Sequence, residues 1–566
     1  MESSPSPFLV QDEADIAWPI VGLLTPSNQA ACRAFSGVVD FLLLHSQNEG
    51  LRRHQSHIVL HNRSKLPLRS LLAAQPASNI ASPSTSFSSQ ATQIDDPSDD
   101  PMANELWSGS YVFSIQSPPR IPQVGWIAGY GPILVRDTPS NLPELLLSAG
   151  TSARDHVGLH SKHAAFNFDK LLATFACKAL RNSDAHVRIA SQQVSRDSGF
   201  QILVCDQVLS FAGLDYRFRF TPDANSDITR NSVKSYIATQ IDASAVVSSG
   251  AATPSEHDII IAGWRLLNGV KKGATAAVIA AVHIKDNTRA AAKKLQIKPS
   301  DETARIARLI TMRQALHNLH HDSNSQYIST LREVIANPHN SNEKYYIFVP
   351  FVSADLEDYI RMWKASPTRP PHDDLVLIFA QLMQGLTALH AAGFLHGDLK
   401  PLNLGLVKVS PPQLAILDID DVQDIREATD KNSCVACTPG YLGTPGFLAP
   451  ERECEGGKYG LPSDIWAAGC VGLRLFDDQH LHKPLNPYRT PSRLSDAAIT
   501  SEKADYQRVL ASLKDRSDGG NSVYDLLASM LNLDWRRRPT ASQALDHPAM
   551  RRALERSLAG GKRKAR

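Results

Sequence analysis

Short runs of alternating apolar and polar residues characterise the stretch from about 105 to 222. Turn-forming residues separate these runs, which are rich in aromatic and β-branched side chains and lie at 111–115, 164–168, 201–204, 207–211 and 216–220. Runs of this kind place successive side chains on opposite faces, which is typical of half-buried strands. The pattern therefore predicts a β-sandwich over residues 105–222.

Apolar residues at helical spacing occur in three other parts of the chain. One is an N-terminal helical segment within 1–65, for which Thr25 and Pro26 are the predicted start. A second helix is predicted up to Leu319 with Ser300 and Asp301 as its cap, and a third over 375–390. A strand pattern at 259–261 precedes the last two helices.

Two polar stretches separate these regions. Residues 66–104 are rich in Ser, Pro, Gln and Asp, and residues 223–257 are small and polar. Segments of such composition cannot bury enough apolar surface to offset the loss of conformational entropy. We therefore expect a disordered linker at 66–104 and an interdomain linker at 223–257.

The most specific chemical signal lies at residues 395–403, LHGDLKPLN, followed by LDID at 417–420. In this order Asp398 can accept the proton of an attacking hydroxyl, and Lys400 can lie beside the phosphoryl group that moves. Asn403 and Asp418 supply the hard oxygen ligands that Mg²⁺ prefers. Any one of these residues alone is usually a turn former. Their joint occurrence in this order indicates phosphoryl transfer.

This region resembles the catalytic and metal-binding loops of eukaryotic protein kinases. The resemblance continues in GTPGFLAPE at 443–451, SDIWAAG at 463–469 and DWRRRPT at 534–540. It implies a bilobal α+β protein kinase fold over 258–555, followed by a basic tail at 556–566. It also implies an ion pair between Glu451 and Arg538, and ATP and Mg²⁺ as cofactors. Lys400 and Thr444 favour serine and threonine hydroxyls of protein substrates.

The resemblance extends to the nucleotide site. Residues 269–278 resemble a glycine-rich loop in which Gly273 and Val278 keep the family pattern, and Lys293 is the expected phosphate-binding lysine. Lys294 should point to the opposite strand face. Residues 346–352 resemble the hinge, with Val349 as gatekeeper and the backbone of Val352 facing the adenine.

Several positions depart from the family pattern. Met312 stands where the glutamate partner of the lysine is expected, with Glu302 as the candidate replacement, and Ala276 and Asp420 stand in place of glycines. Gly397 replaces an arginine that binds a phosphorylated activation loop. These departures keep a second hypothesis open, in which the chain is a pseudokinase or adaptor that binds partners without phosphotransfer.

The β-rich region resembles a forkhead-associated domain, a family that binds phosphothreonine. The resemblance rests on 158–164, GLHSKHA, and on the turn at Asn182. It implies that His160, Ser161, His163 and Asn182 contact phosphothreonine peptides. Tyr130, however, stands where the family has an arginine, so a purely structural sandwich remains the alternative.

Composition limits the other function classes. The formal net charge of +2 gives no strong field for nucleic acid or an anionic membrane, so we expect neither as a partner. The seven cysteines do not form a disulfide framework and no signal-peptide pattern opens the sequence. A cytoplasmic or nuclear protein is therefore expected. Cys434 and Cys437 alone make only half of a zinc site.

Overall fold

The computed structural model divides the chain into two compact units, Met1–Ala245 with Ala251–Asp258, and Val246–Gly250 with Ile259–Arg566. The structure describes residues 9–10, 20–74, 105–131, 143–149, 158–170, 172–180, 187–189, 192–194, 196, 199–204, 206–242, 259–272, 276–295, 299–318, 323–337, 340–352, 354–365, 370–409, 411–437, 444, 446–453, 457–476 and 496–564.

The N-terminal unit consists mainly of short strands. In chain order they are β1 (Leu9–Val10), β2 (Ile20–Pro26), β3 (Ile58–Leu60), β4 (Leu66–Pro67), β5 (Glu105–Leu106), β6 (Gly109–Ser114), β7 (Trp126–Tyr130), β8 (Leu145–Ser148), β9 (Ala164–Phe168), β10 (Phe175–Ala179), β11 (Val187–Ile189), β12 (Gln192–Val194), β13 (Gln201–Ile202), β14 (Gln207–Phe211) and β15 (Leu214–Phe220). Its helices are α1 (Gln29–Leu44), α2 (Arg52–Gln55), α3 (Leu68–Ala73) and α4 (Asp227–Tyr236).

Most of these strands form two sheets. Among the described residues one sheet has the order β1-β3-β6-β2-β15-β14-β11-β12, and the other β13-β10-β9-β7-β8. Strand β2 pairs antiparallel with both β6 and β15, with Leu24 opposite Tyr111 and Phe218. The expectation of a separate helical segment over 1–65 is therefore wrong, because β2 and β3 belong to the same sheet as the strands after residue 105.

Aromatic side chains fill the space between the two sheets. The ring of Phe113 on β6 lies 4.7 Å from that of Phe166 on β9 and 4.8 Å from that of Phe175 on β10. Phe218 on β15 stacks on Phe175 at 5.8 Å. Large aromatic side chains bury much apolar area, so this cluster provides a major part of the unit's hydrophobic stabilisation.

Helix α1 begins later than the sequence pattern predicts. Pro26 is the last residue of β2, and Asn28 is the N-cap, since its side chain accepts a hydrogen bond of 2.8 Å from the backbone N–H of Ala31. Phe35, Val39 and Leu42 form part of its buried face. Thr25 continues β2 because its backbone pairs with Arg217 of β15, which leaves the capping role to Asn28.

Parts of both predicted linkers are ordered. Strand β4 and helix α3 occupy 66–73, while 75–104 lie outside the described residues. Helix α4, capped by Ser226, occupies the start of the second linker and continues as a π-helical turn at Ile237–Ile241. Tyr236 packs against Phe168 of β9 at 5.9 Å, so this stretch extends the sandwich instead of separating domains.

The C-terminal unit begins with a β-rich lobe and continues as a helical lobe. Its strands are β16 (Ile259–Ile261), β17 (Trp264–Lys272), β18 (Ala276–His283), β19 (Arg289–Leu295), β20 (Thr330–Asn337), β21 (Asn340–Val349), β22 (Phe394–Leu395), β23 (Leu404–Val409), β24 (Pro412–Ile416), β25 (Gln423–Asp424), β26 (Val435–Ala436) and β27 (Lys458–Tyr459). Its helices are α5 (Pro299–Asn318), α6 (Leu356–Ala365), α7 (His372–Ala391), α8 (Leu461–Phe476), α9 (Asp496–Asp515), α10 (Val523–Met530), α11 (Ala541–Leu545) and α12 (Pro548–Lys564).

The first lobe is one sheet of order β16-β17-β18-β19-β21-β20 with α5 beside it. The second lobe surrounds α7, whose buried side chains include Phe379, Leu382 and Leu386. By length and composition alone α7 could cross a membrane, but 72% of its apolar window is buried inside the protein, as in a core helix. Helix α12 continues to Lys564, so most of the predicted basic tail at 556–566 is helical.

The ion pair expected from the resemblance is confirmed. Arg538 donates to both carboxylate oxygens of Glu451, at 2.7 and 2.8 Å, and also to the carbonyl oxygens of Asn532 and Pro462. The side chain of Arg538 is fully buried under the ring of Trp466. A buried bidentate pair of this kind fixes the segment that ends at Glu451 to the helical lobe.

Replacing this arginine tests that role. Arg538→Met should lower the free energy of unfolding by about 3–5 kcal/mol, because it leaves Glu451 as an unpaired, largely buried charge. The matched control is Arg556→Met, which removes the exposed pair with Asp373 and should cost about 0–1 kcal/mol. Urea denaturation of the full chain measures both. Equal effects of the two substitutions would contradict this role for Arg538.

Candidate active site

The loop between β22 and β23 is held by one buried carboxylate. Asp464, in the first turn of α8, accepts hydrogen bonds of 2.9 Å from the backbone N–H groups of His396 and Gly397. Its Oδ2 also lies 2.9 Å from Nε2 of His390, at the end of α7. Burial alone would raise the pKa of Asp464, but these partners outweigh it and lower the pKa. The carboxylate therefore stays ionised and ties the loop to two helices.

Three sequence-predicted residues meet at the end of this loop. Lys400 Nζ donates to Asp398 Oδ2 at 2.7 Å and to Thr444 Oγ1 at 2.8 Å, and Thr444 Oγ1 donates to Asp398 Oδ1 at 2.9 Å. The structure thus brings the predicted acid, lysine and threonine together across a separation of 46 residues. About a third of the Asp398 side chain remains exposed, so an incoming hydroxyl group can reach it.

The predicted metal ligands lie on neighbouring backbone segments. The backbone N–H of Leu417 donates to the carbonyl oxygen of Asn403 at 2.8 Å, which places Asp418 beside Asn403. The amide nitrogen of Asn403 donates to the carbonyl oxygen of Asp398 at 2.8 Å, so its amide oxygen is the atom left to bind a cation. Asp418 has a left-handed backbone conformation with φ 57°, which is uncommon for a residue other than glycine and is often found at functional sites.

Lys293 forms ion pairs with two acids of the metal-binding loop. Its Nζ donates to Asp418 Oδ1 and, at 2.8 Å, to Asp420 Oδ1. Burial alone would lower the pKa of Lys293, but the carboxylates of Asp420 and Asp418 reverse this effect and raise it. Burial would likewise raise the pKa of Asp418, yet Lys293 holds it below its usual value, whereas burial raises the pKa of Asp420.

The strands around Lys293 match the sequence prediction. Lys294 points to the other face of β19, where its Nζ lies 2.8 Å from Glu343. Val278 is directly opposite Lys293 on β18, whereas Gly273 lies outside the described residues. Val352 follows β21, and a Cβ added at Gly405 would lie 2.6 Å from its side chain, so Val352 packs close to the strand that follows Asn403.

The candidate replacement on α5, Glu302, is wrong as the partner of Lys293. Met312 is fully buried in an apolar cluster with Leu309 and Leu316, where an introduced glutamate would lose its hydration. Glu302 is already bound, since its carboxylate accepts hydrogen bonds from Lys344 at 2.6 Å and from Tyr346 at 3.0 Å.

Sequence reasoning missed the acid that does pair with Lys293. Asp420 was expected to weaken the site by replacing a glycine, but its φ is not positive, so its backbone conformation needs no glycine. Instead its carboxylate bridges Lys293 and Arg305 of α5. The available signal was the charge pattern, because α5 carries arginines where an acid was expected and the loop carries an extra acid.

In the N-terminal unit the described members of the predicted phosphopeptide site lie near the ends of the inner strands β7, β9 and β10. The backbone N–H of Tyr130 donates to the carbonyl oxygen of His160 at 3.1 Å. The backbone N–H of Leu180 donates to the carbonyl oxygen of His163 at 3.0 Å. His160 and Ser161 are partly exposed, whereas His163 is fully buried and its Nδ1 accepts a hydrogen bond from the His160 backbone at 3.2 Å. His163 is therefore wrong as a direct contact, because burial leaves it only a positioning role. Asn182 lies outside the described residues.

Comparison with known proteins decides the family. A model of the protein kinase domain matches residues 265–550. The chain belongs to the protein kinase family.

Similar proteins narrow the class. Mitogen-activated protein kinase p38b of Drosophila melanogaster is 29% identical over 307 residues, which cover 51% of this chain and 79% of the relative. Mitogen-activated protein kinase pmk-1 of Caenorhabditis elegans is 27% identical over 50% of this chain and 74% of its own length. Human serine/threonine-protein kinase MAK is 27% identical over 40% of this chain and 36% of its own length. By family and similarity this kinase is a serine/threonine protein kinase.

Kinases of this family use ATP and Mg²⁺, and the residues present fit both. Among the described residues no three His, Cys, Asp or Glu side chains form a metal cage. Mg²⁺ does not need one, since it keeps several waters and binds one or two protein oxygens together with substrate phosphates. Asn403 and Asp418 would supply such oxygens, and Lys293 would supply a cation for the phosphates.

The two adjacent lysines of β19 give a matched test of the nucleotide site. Lys293→Met should weaken ATP binding by about 10-fold or more, because a charge-assisted contact to phosphate is lost. Lys294→Met removes the same charge on the opposite strand face and should leave ATP binding nearly unchanged. Isothermal titration with ATP and Mg²⁺ measures both. A larger loss for Lys294→Met would contradict the assignment of Lys293.

Proposed function

We propose that this kinase transfers the γ-phosphate of ATP to serine and threonine hydroxyls of protein substrates. The observation that carries the proposal is the contact between Asp398, Lys400 and Thr444 beside Asn403 and Asp418. It joins a proton acceptor, a cation for the phosphoryl group and two metal-binding oxygens at one place, which is the arrangement that phosphoryl transfer requires.

In this reaction the substrate hydroxyl oxygen forms a bond to the γ-phosphorus while the bond from that phosphorus to the β-phosphate oxygen breaks. Asp398 accepts the hydroxyl proton, and ADP leaves with the bonding electrons. Lys400 lies within 2.7 Å of Asp398, where its ammonium group can also bind a γ-phosphate oxygen. Mg²⁺, when bound, neutralises negative charge on the phosphates.

The substrate class follows from Thr444 and Lys400 together. Their hydrogen bond at 2.8 Å joins the catalytic loop to Thr444, which belongs to residues 443–451, the end of the activation segment. Serine and threonine have short side chains, so the backbone of the substrate must lie close to Asp398 for the hydroxyl group to reach it. Thr444 binds both Asp398 and Lys400 and so holds the end of the activation segment next to Asp398. Protein substrates with serine or threonine acceptors are therefore the proposed class.

We also propose that activity does not depend on phosphorylation of the activation segment. Gly397 stands where many kinases have the arginine that binds such a phosphate, and its φ is 78°. Arg452 from the end of the segment donates instead to the carbonyl oxygen of Gly397. This contact supports a segment that the unmodified chain already holds against the catalytic loop.

Substitution of the two acids separates chemistry from binding. Asp398→Asn should leave ATP binding near that of the wild type but slow transfer by about 10²–10⁴-fold, the usual effect of losing a general base. Asp418→Asn should abolish Mg²⁺-dependent ATP binding and transfer, because its carboxylate would hold the metal that binds the phosphates. ATP binding and single-turnover transfer to a generic protein substrate are the measurements. Equal transfer by wild type and Asp398→Asn would contradict the proposed phosphotransfer and favour the pseudokinase or adaptor hypothesis.

For the N-terminal unit we propose recognition of phosphothreonine peptides. Support comes from two packed sheets and from the end of β7, where Tyr130, His160 and Ser161 lie together. A Cβ added at Gly129 would lie 2.2 Å from the carbonyl oxygen of Ser161, so the two backbones are in close contact there. Ser161 supplies a hydroxyl donor, His160 supplies an imidazole N–H donor, and the exposed Lys162 supplies a cation that suits phosphate.

Peptide binding to the full chain tests this proposal. Ser161→Ala should reduce the preference for phosphorylated over unphosphorylated peptides by about 10-fold, the loss expected for a hydrogen bond to a charged group. Ser56→Ala, an exposed serine of the same unit, is the control and should change nothing. Fluorescence anisotropy with paired peptides measures the preference. If the wild type shows no preference for phosphorylated peptides, the proposal is contradicted and the N-terminal unit is a structural or docking module.

A further inference from the structure

The carboxylate of Asp420 lies between two cations from different parts of the small lobe. Its Oδ1 accepts a hydrogen bond of 2.8 Å from Lys293 on β19, and its Oδ2 accepts one of 3.1 Å from Arg305 on α5. Only 3% of the Asp420 side chain is exposed. Arg308, one helical turn after Arg305, donates to the backbone carbonyl oxygen of Asp420 at 2.9 Å.

We propose that Asp420 is the positioning residue for Lys293, in the role that an acid on the neighbouring helix was expected to fill, and that Arg305 holds Asp420 in place. This inference rests on the proposed role of Lys293 in binding ATP phosphates. The charges of the site are thus exchanged, since the acid is on the metal-binding loop and the helix supplies cations.

Asp418 alone cannot hold Lys293 in place while it also binds a metal ion. Lys293 pairs with both Asp418 and Asp420, but Asp418 is also the proposed metal ligand. Once Asp418 binds a cation, its carboxylate is less available to Lys293. Asp420 keeps the ammonium group in place because its own carboxylate faces Lys293 and Arg305.

Arg305 is needed to balance the charge of the buried Asp420 carboxylate. A carboxylate as buried as that of Asp420 is costly unless it is paired and hydrogen-bonded on both oxygens. Lys293 and Arg305 occupy one oxygen each, and the side chains of Lys293, Arg305, Asp418 and Asp420 together carry no net charge. Helix α5 is therefore attached to the metal-binding loop through the same carboxylate that orients Lys293.

ATP binding in the presence and absence of Mg²⁺ tests the inference on the full chain. Asp420→Asn should weaken ATP binding about 10-fold or more with Mg²⁺, because Asp418 then binds the metal and Lys293 is left without a counter-ion. The loss should be smaller without Mg²⁺, because Asp418 still pairs with Lys293. Asp418→Asn should weaken binding only with Mg²⁺. The control is Asp424→Asn, an exposed acid four residues downstream that pairs with Arg426 and should leave binding unchanged.

A double-mutant cycle tests the link through Arg305. Arg305→Gln should weaken ATP binding in the same direction as Asp420→Asn but less, since Asp420 still pairs with Lys293. The double variant should bind no more weakly than Asp420→Asn alone, because Arg305 acts through Asp420. Arg305→Gln also carries the test if Asp420→Asn fails to fold, and Arg305→Lys should restore most of the affinity.

Two results would overturn the inference. One is ATP binding by Asp420→Asn as tight as that of Asp424→Asn in the presence of Mg²⁺. The other is an additive loss in the double variant. Neither depends on phosphotransfer, so a chain that binds ATP but transfers no phosphate would contradict the proposed function and leave this inference standing. Conversely, transfer that needs Asp398 but not Asp420 would contradict only the inference.

Discussion

The buried carboxylate of Asp464 is the constraint on which the catalytic geometry depends. It binds two consecutive backbone N–H groups of the catalytic loop and the imidazole of His390. Because α7 and α8 are both core helices, the loop takes its position from the most buried part of the lobe. Asp398, Lys400 and Asn403 can then be placed to within hydrogen-bonding distance of one another without any ligand.

A second set of ion pairs connects this rigid loop to parts of the chain that have to respond to ligands. Glu451 and Arg538 fix the end of the activation segment to the helical lobe, and Thr444 bridges that segment to Asp398 and Lys400. Lys293 and Asp420 connect the sheet lobe to the metal-binding loop. The ion pairs of both sets involve charged side chains that are partly or fully buried, where electrostatic interactions are stronger than in water.

Much of the kinase site could be predicted from the sequence because its residues lie close together along the chain. The loop at 395–403 and the acid at 418 have fixed spacing, and the opposite directions of Lys293 and Lys294 follow from strand geometry alone. The role of Asp420 could not be predicted in this way, since it depends on Arg305 and Lys293, which are 115 and 127 residues away in the chain.

The N-terminal unit shows the same limit more clearly. Its strand pattern after residue 105 is visible in the sequence, yet the same sheet includes β2, whose partner β15 lies about 190 residues later. Local pattern reveals that a strand exists but not which strand pairs with it, so β2 was taken for the approach to a helix. The turn at Asn182 and the glycine at 273 lie outside the described residues, and their roles stay predictions.

The most direct test of the central claim is phosphate transfer itself. The full chain, incubated with ATP labelled at the γ-phosphate, Mg²⁺ and a generic protein substrate, should place the label on serine and threonine residues that mass spectrometry can locate. Chelation of Mg²⁺ should stop the transfer. Nucleotide binding without label on any hydroxyl, above the level found without the chain, would contradict the account.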